Sequence, residues 1–214
     1  MKMDYLFLIY MLVAYLLGSI PTAIWAGKIF FGKDIRTLGS GNAGATNTYR
    51  AFGKLTAIAV LIIDLGKGWL SVSLPFLLKS YTPMPDLQLS YIEYPGCFLG
   101  LMAALGHIYP VYERFKGGKG VATLFGAIIA MDYRVAAICM GVFIFVFLLS
   151  KKVSLSSMIS AIGFTIAFLI LHAPYRIADT LAIYTLPLLV LYTHRSNIKR
   201  LLKNEEPDFR FKKS

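Results

Sequence analysis

The sequence predicts an all-α, polytopic integral membrane protein of about seven transmembrane helices, with its N-terminus outside and its C-terminus cytoplasmic. Three observations lead there. Hydrophobic residues fill 57% of the 214 positions and charged residues only 15%, too little polar surface for a soluble chain of this length. The apolar residues gather in seven runs, roughly 5–28, 54–78, 93–112, 120–131, 134–150, 154–172 and 177–193. Most approach the ~20 residues a helix needs to cross the hydrocarbon core. The net charge of +11 lies mainly in the gaps between the runs, where it reads as membrane topology and not as a nucleic-acid surface.

Taken in order, the first run follows only Lys2 and Asp4 and is long for a cleaved leader, so it reads as a retained helix. The fourth is the short one: Val121 to Met131 gives ~16 Å as a helix, so it is tilted or only partly spanning. With the N-terminus outside, the inner gaps and the tail hold seventeen Lys and Arg residues, against Lys2, Lys79, Arg134 and Arg176 outside and Lys67 within a run. That asymmetry sets the orientation. It places the Ser80–Pro95 gap outside, where no function attaches to it, and three polar clusters inside. Cys97 and Cys139 lie in apolar runs and read as packing residues. No internal repeat interrupts residues 1–214, which read as a single domain.

The first cluster runs from Leu38 to Arg50 and contains Gly39, Ser40, Gly41, Asn42, Gly44, Thr46 and Asn47. Glycines let a backbone approach a ligand closely, and successive inward N–H groups make an anion-binding concavity. Ser40, Asn42, Thr46 and Asn47 add side-chain donors, and Arg50 is able to grip a phosphate with two parallel hydrogen bonds. The second cluster is Gly106-His107-Ile108-Tyr109-Pro110 followed by Lys116-Gly117-Gly118-Lys119-Gly120, where the short helix begins. A helix N-terminus beside an ammonium is a ready phosphate site; the same residues also suit contact with anionic headgroups. The third cluster, His194-Arg195-Ser196-Asn197 through Leu202, puts His194 and Asn197 on one face if the helix continues. Taken alone, it reads first as a basic interfacial tail.

Ser154 stands where it would cap a helix, with Ser157 one turn on, its hydroxyl near the inner surface or bonded back to its own backbone. Asp64 and Lys67 lie deep in the second run at a spacing that allows an internal ion pair. His107 is placed to brace the Lys116–Lys119 segment. Neither glycine loop continues into Gly-Lys-Ser or Gly-Lys-Thr, so neither is a nucleotide P-loop. No His, Asp or Glu cluster has metal-ligand spacing, and no cofactor is called for. The His-x4-Asp signature of the common glycerolipid acyltransferases is absent: Tyr112, Ile177 and Lys199 follow the three histidines at that distance.

Together these clusters resemble the bacterial acyl-phosphate:glycerol-3-phosphate acyltransferase family, PlsY. The residues that carry the resemblance are 39–47 with Arg50, Asp64-Leu65-Gly66-Lys67-Gly68, Gly106-His107 with Tyr109-Pro110, 115–123, Ser154 with Ser157, and His194-Arg195 with Asn197-Ile198 and Arg200-Leu201. The chain departs from the family at Asn204, where a glycine is frequent, and in the length of the 80–95 segment. The resemblance implies transfer of an acyl group from acyl phosphate to the 1-hydroxyl of glycerol 3-phosphate, giving lysophosphatidic acid and inorganic phosphate for phospholipid synthesis at the bacterial inner membrane. It implies that Ser40, Arg50, Lys119, Ser157, His194 and Asn197 surround the two phosphates. Gly41, Asn42, Gly44, Thr46, Asn47, Lys116, Gly117 and Gly118 would hold substrate. Besides the two substrates and membrane lipids, coupling to the enzyme that makes the acyl phosphate is implied as a partnership. The runner-up from the residues themselves is a carrier for phosphate or organophosphate anions.

Overall fold

The computed structural model describes residues 2–78, 95–172 and 177–209. Lys79, most of the 80–95 segment, Arg176 and the basic end of the tail at Arg210, Lys212 and Lys213 lie outside the described residues. Its elements are helices: α1 (Lys2–Gly18), α2 (Thr22–Phe31), α3 (Ala45–Phe52), α4 (Lys54–Leu77), α5 (Pro95–Ile108), α6 (Val121–Met131), α7 (Tyr133–Ser150), α8 (Val153–Leu171), α9 (Ile177–Thr193) and α10 (Arg195–Leu202), with single 3-10 turns at Ile35–Thr37 and Val111–Glu113. The chain divides into two compact units, Met1–Met131 and Asp132–Ser214.

Among the described residues, four stretches are long and apolar enough to cross a membrane: Tyr5–Phe31, Lys54–Leu77, Tyr133–Ser150 and Val153–Leu171. A fifth is counted if α9 and α10, bent by 61°, form one span. The molecule is therefore an all-helical integral membrane protein. α6 is as short as its sequence implied, ending at Met131.

The first span is not one helix. Pro21 lacks an N–H and its ring crowds the preceding turn, so α1 stops at Gly18 and α2 restarts at Thr22. Ile24 and Trp25 donate their N–H groups to the Pro21 carbonyl. At the break the Ile20 carbonyl accepts the Thr22 N–H at 3.1 Å and the Lys67 ammonium of α4 at 2.8 Å.

In the first unit α1 packs on α5 and α4 on α6. Both contacts rest on glycine. A Cβ on Gly126 would overlap the Leu65 carbonyl, one on Gly68 the Thr123 carbonyl, and one on Gly18 the Ala103 carbonyl. Between apolar helices in lipid, such close backbone approach supplies the van der Waals contact that water exclusion cannot. In the second unit α7 packs on α8 and α8 on α9, around Phe164 and Phe168.

Gly126→Leu is expected to separate α6 from α4 and lower thermal stability in detergent by about 1–3 kcal/mol, the usual cost of overpacking. Gly66→Ala on α4, where nothing lies within 4 Å of the new carbon, is expected to cost nothing in the same scan.

Candidate active site

The first cluster folds as a loop that runs directly into α3. Beneath it sits an apolar floor of Ala23, Ile24, Ile35, Ala43 and Val60. Asn47 is 1% exposed and lies on α3, yet its amide serves the loop. Its Oδ1 accepts the Ser40 N–H at 3.0 Å, and its Nδ2 donates to the Leu38 and Ile35 carbonyls at 2.9 and 3.3 Å. Gly39 has φ +55° and no room for a side chain, since a Cβ would overlap the Asn47 amide.

The loop's own bonds take up three of the N–H groups expected to face a ligand. The Ser40 N–H goes to Asn47, that of Gly41 to Leu38 O and that of Gly44 to Asn42 O. Backbone donors under partial burial find partners within the chain, so these three N–H groups are not turned toward a ligand. The loop presents instead the N-terminus of α3, whose cap residue Gly44 supplies no side-chain hydrogen bond. Thr46 sits on the first turn and Arg50 in the last, while Ser40 is exposed and Asn42 half-buried. Arg50 also lines a cleft of about 340 Å³ with Lys33, Leu38, Gly39, Ala51 and the stacked rings of Phe31 and Phe52, 4.4 Å apart.

The second cluster wraps the end of α5. The Gly117 and Gly118 N–H groups donate to the Ile108 and His107 carbonyls at 3.0 and 3.1 Å, ending the helix. Their lack of a side chain brings the strand of loop close: a Cβ on Gly117 would overlap the His107 carbonyl, and one on Gly118 the His107 ring and the Ala43 carbonyl of the first loop. His107 thus braces this segment, as expected. It is 8% exposed, and its Nδ1 makes no hydrogen bond although Asp64 Oδ1 lies 3.6 Å away. Asp64 pairs with Lys67 at 2.9 Å and accepts from the Thr22 hydroxyl at 3.1 Å. Lys116 is exposed, Lys119 is half-buried, and α6 opens two residues later at Val121. The structure therefore brings the first and second clusters together within the first unit.

Ser157, His194 and Asn197 belong to the second unit. α9 ends at Thr193, so His194 occupies the bend and Asn197 lies on α10. His194 is 3% exposed and its Nδ1 lies 2.8 Å from the Val190 carbonyl. A carbonyl only accepts, so Nδ1 carries the proton and, in the neutral ring, Nε2 is the basic nitrogen. The Ser157 hydroxyl donates to the Val153 carbonyl at 2.8 Å. Ser154 does not cap its helix. Lys152 is the cap residue, and Ser154, one position inside, donates to Glu206 Oε1 at 2.6 Å.

Glu206 is the residue the sequence reading passed over. Its Oε1 also accepts the Asn197 amide at 2.7 Å, and its Oε2 takes Arg200 Nε at 2.7 Å. The tail continues along α8's start: Phe209 N–H donates to the Lys151 carbonyl, and Asp208 pairs with Lys152. Burial works against the Glu206 carboxylate, but the bonds from Ser154, Asn197 and Arg200 outweigh it and hold its pKa below the ordinary 4.5. A lowered folded pKa adds stability above the ordinary value and loses it as pH falls through the folded one. Glu206→Gln is therefore expected to lower the thermal midpoint and release the Phe209 amide to exchange at neutral pH. The gap from wild type is expected to hold above about pH 5.5 and to narrow as pH falls through and below the ordinary glutamate range. Midpoints measured across pH check it.

The glycerol-3-phosphate acyltransferase family model matches residues 8–204. Curated relatives named glycerol-3-phosphate acyltransferase include one from Macrococcus caseolyticus, 41% identical over 95% of this chain and 97% of its own, and one from Enterococcus faecalis, 39% identical over 95% and 92%. Among solved structures, PlsY (YgiH), an integral membrane glycerol 3-phosphate acyltransferase, aligns in its glycerol 3-phosphate form with TM-score 0.82 at 36% identity, covering 95% of this chain and 96% of that one. Its lysophosphatidic acid form aligns with TM-score 0.79 at 35% identity, covering 95% of each.

Proposed function

The chain belongs to the glycerol-3-phosphate acyltransferase family, and from that premise we propose that it transfers an acyl group from acyl phosphate to the 1-hydroxyl of glycerol 3-phosphate. The observation that carries the reading is the approach of the loops that open α3 at Gly44 and α6 at Val121, which touch at Ala43 and Gly118, with Lys119 beside the start of α6 and Arg50 in the last turn of α3. Each N-terminus offers unpaired N–H groups and a favourable dipole to an anion, and the reaction has two anions to hold. The anion-carrier alternative is not favoured, because the relatives are named as acyltransferases.

In this reading the α3 loop, with Ser40, Asn42, Thr46 and Arg50, holds the phosphate of the donor. Lys116, Lys119 and the α6 N-terminus hold that of the acceptor, while Asn47, Gly117 and Gly118 shape the two loops. Ser157, His194 and Asn197 serve the same reaction, and residues 1–214 act as one acyltransferase domain. The acceptor oxygen attacks the acyl carbon, the bond from that carbon to the phosphate oxygen breaks, and inorganic phosphate leaves. The hydroxyl proton passes to a substrate phosphate oxygen. Acyl phosphate is a mixed anhydride, so a covalent enzyme intermediate is unnecessary, and orientation supplies roughly 7–11 kcal/mol in favourable cases. The seven-span count, the cytoplasmic face of the site, the bacterial inner-membrane location and the coupling to a donor-producing enzyme belong to this proposal.

Purified chain given labelled glycerol 3-phosphate is expected to make lysophosphatidic acid from palmitoyl phosphate and not from acyl-CoA or acyl-carrier protein. Acylation from a thioester alone overturns the donor. His194→Gln is expected to lower kcat and keep the acidic limb of the pH–rate profile, since that limb belongs to substrate phosphates; disappearance of the limb moves the proton to Nε2.

A further inference from the structure

The sequence places Arg36 and Glu113 seventy-seven positions apart, in segments with no assigned role, and the fold joins them. Glu113 lies in the 3-10 turn between α5 and the Lys116–Lys119 segment. Both its carboxylate oxygens receive the Lys28 ammonium of α2 at 2.8 Å, and Oε2 also receives Arg36 at 3.2 Å. Arg36 sits on the turn that leads into the first loop. Its guanidinium forks onto Asp34, with Nη2 to Oδ2 at 2.6 Å and Nε to Oδ1 at 3.0 Å, a hydrogen bond that holds the Asp34 carboxyl below the usual carboxylate range. Its remaining nitrogen, Nη1, crosses to the carbonyls of Glu113 at 3.4 Å and Lys116 at 3.1 Å. The Trp25 and Tyr112 rings, 6.2 Å apart, close the same seam.

This seam spans a segment that has no regular structure to hold it. Arg114 and Phe115 both take left-handed backbone angles, φ 55° and 59°, unfavourable for residues with side chains. Such a conformation persists only where the surroundings over-determine it. The Glu113 side chain is 12% exposed and that of Arg36 25%, and several charges share the carboxylate. The seam is therefore unlike an isolated surface pair, which contributes little.

We propose that Glu113 and Arg36, with Lys28, are positioning residues: they fix the Lys116–Lys119 segment against the first loop and so set the affinity for the phosphate of glycerol 3-phosphate. The inference rests on the proposed acyltransferase reading for the identity of that ligand. Neither residue touches the reacting atoms, so the step itself is left intact once substrate is seated. A displacement of ~1 Å at a site of this kind costs as much as about a hundredfold, and a loosened loop that still samples its place costs less.

Initial rates of the full chain in detergent, with glycerol 3-phosphate varied at saturating palmitoyl phosphate, test it. Glu113→Gln and Arg36→Gln are each expected to raise KM for glycerol 3-phosphate about tenfold with kcat within about threefold. The double variant is expected to match the worse single, because both break one linkage. Unchanged KM overturns the proposal, as does a double variant whose loss is the product of the singles, or a loss confined to kcat. Calorimetric binding of glycerol 3-phosphate without donor reads the same effect should wild type show no turnover. Weaker binding by the variants then upholds the seam although the donor assignment has failed, and equal binding overturns it. Thermal midpoints identify a variant that does not fold. Arg36→Lys, which keeps the charge but has no fork to reach Asp34, Glu113 and the Lys116 carbonyl together, then carries the same KM expectation.

Discussion

A single ion pair sets the shape of the first unit. Asp64 and Lys67 are 2% and 4% exposed, on a helix of span length. Charges at such a depth persist only when paired and hydrogen-bonded, and this pair bonds to the α1–α2 break and to α2 and lies against the end of α5. Lys67 donates to the Ile20 carbonyl at the Pro21 break. Asp64 accepts from Thr22, the first residue of α2, and lies beside His107 at the end of α5. The pair thus satisfies the break in the first span and fixes the direction in which α2 leaves it. From α2 follow the turn at Ile35, the first loop and α3. From His107 follow the carbonyl that ends α5 at Gly118 and the ring against which Gly118 packs. Both loops of the proposed site hang from one buried pair.

The sequence made the pair legible, because two ionisable residues three apart in an apolar run have few other uses. It also marked the two glycine clusters, the short α6 and the bracing role of His107. What it could not display was where polar groups go once the chain folds. Asn42 and Asn47 look alike as loop donors. Only the fold shows Asn47 turned inward to hold Ser40 and Leu38. Pro21 did signal a break, but a hydropathy run averages over one imino acid, so α1 and α2 read as one helix. Thr46, Asn47 and Arg50 lie on α3, a helix of only eight residues, too short for its periodicity to separate it from the glycine-rich loop before it.

Acidic residues were the least legible. The tail's cations dominate its pattern, and nothing in its spacing marks Glu206. Its partners are Ser154, fifty-two positions away, and Asn197 and Arg200, within one short segment. Glu113 is tied to Lys28 across eighty-five positions. Spacing arguments work within a helix, where i and i+3 share a face, and carry nothing across such distances. In a chain with eleven acids against twenty-two cations, the buried Asp64, Asp132 and Glu206 each gather two or more side-chain donors.

The same bookkeeping constrains how the hydroxyls act in the proposed reaction. Ser157 gives its proton to Val153 and Ser154 gives its own to Glu206. A serine so engaged still has lone pairs to offer, which suit an ammonium or a substrate hydroxyl. To donate to a phosphate oxygen, Ser157 must first surrender the bond to its own helix, one that is worth only about 0.5–1.5 kcal/mol net and is repaid by a stronger charge-assisted bond. Ser154 has no such exchange, since its partner is already a carboxylate. Of the two serines, the one committed to a neutral carbonyl is therefore the one whose proton a phosphate is able to take, and the one committed to Glu206 holds the tail.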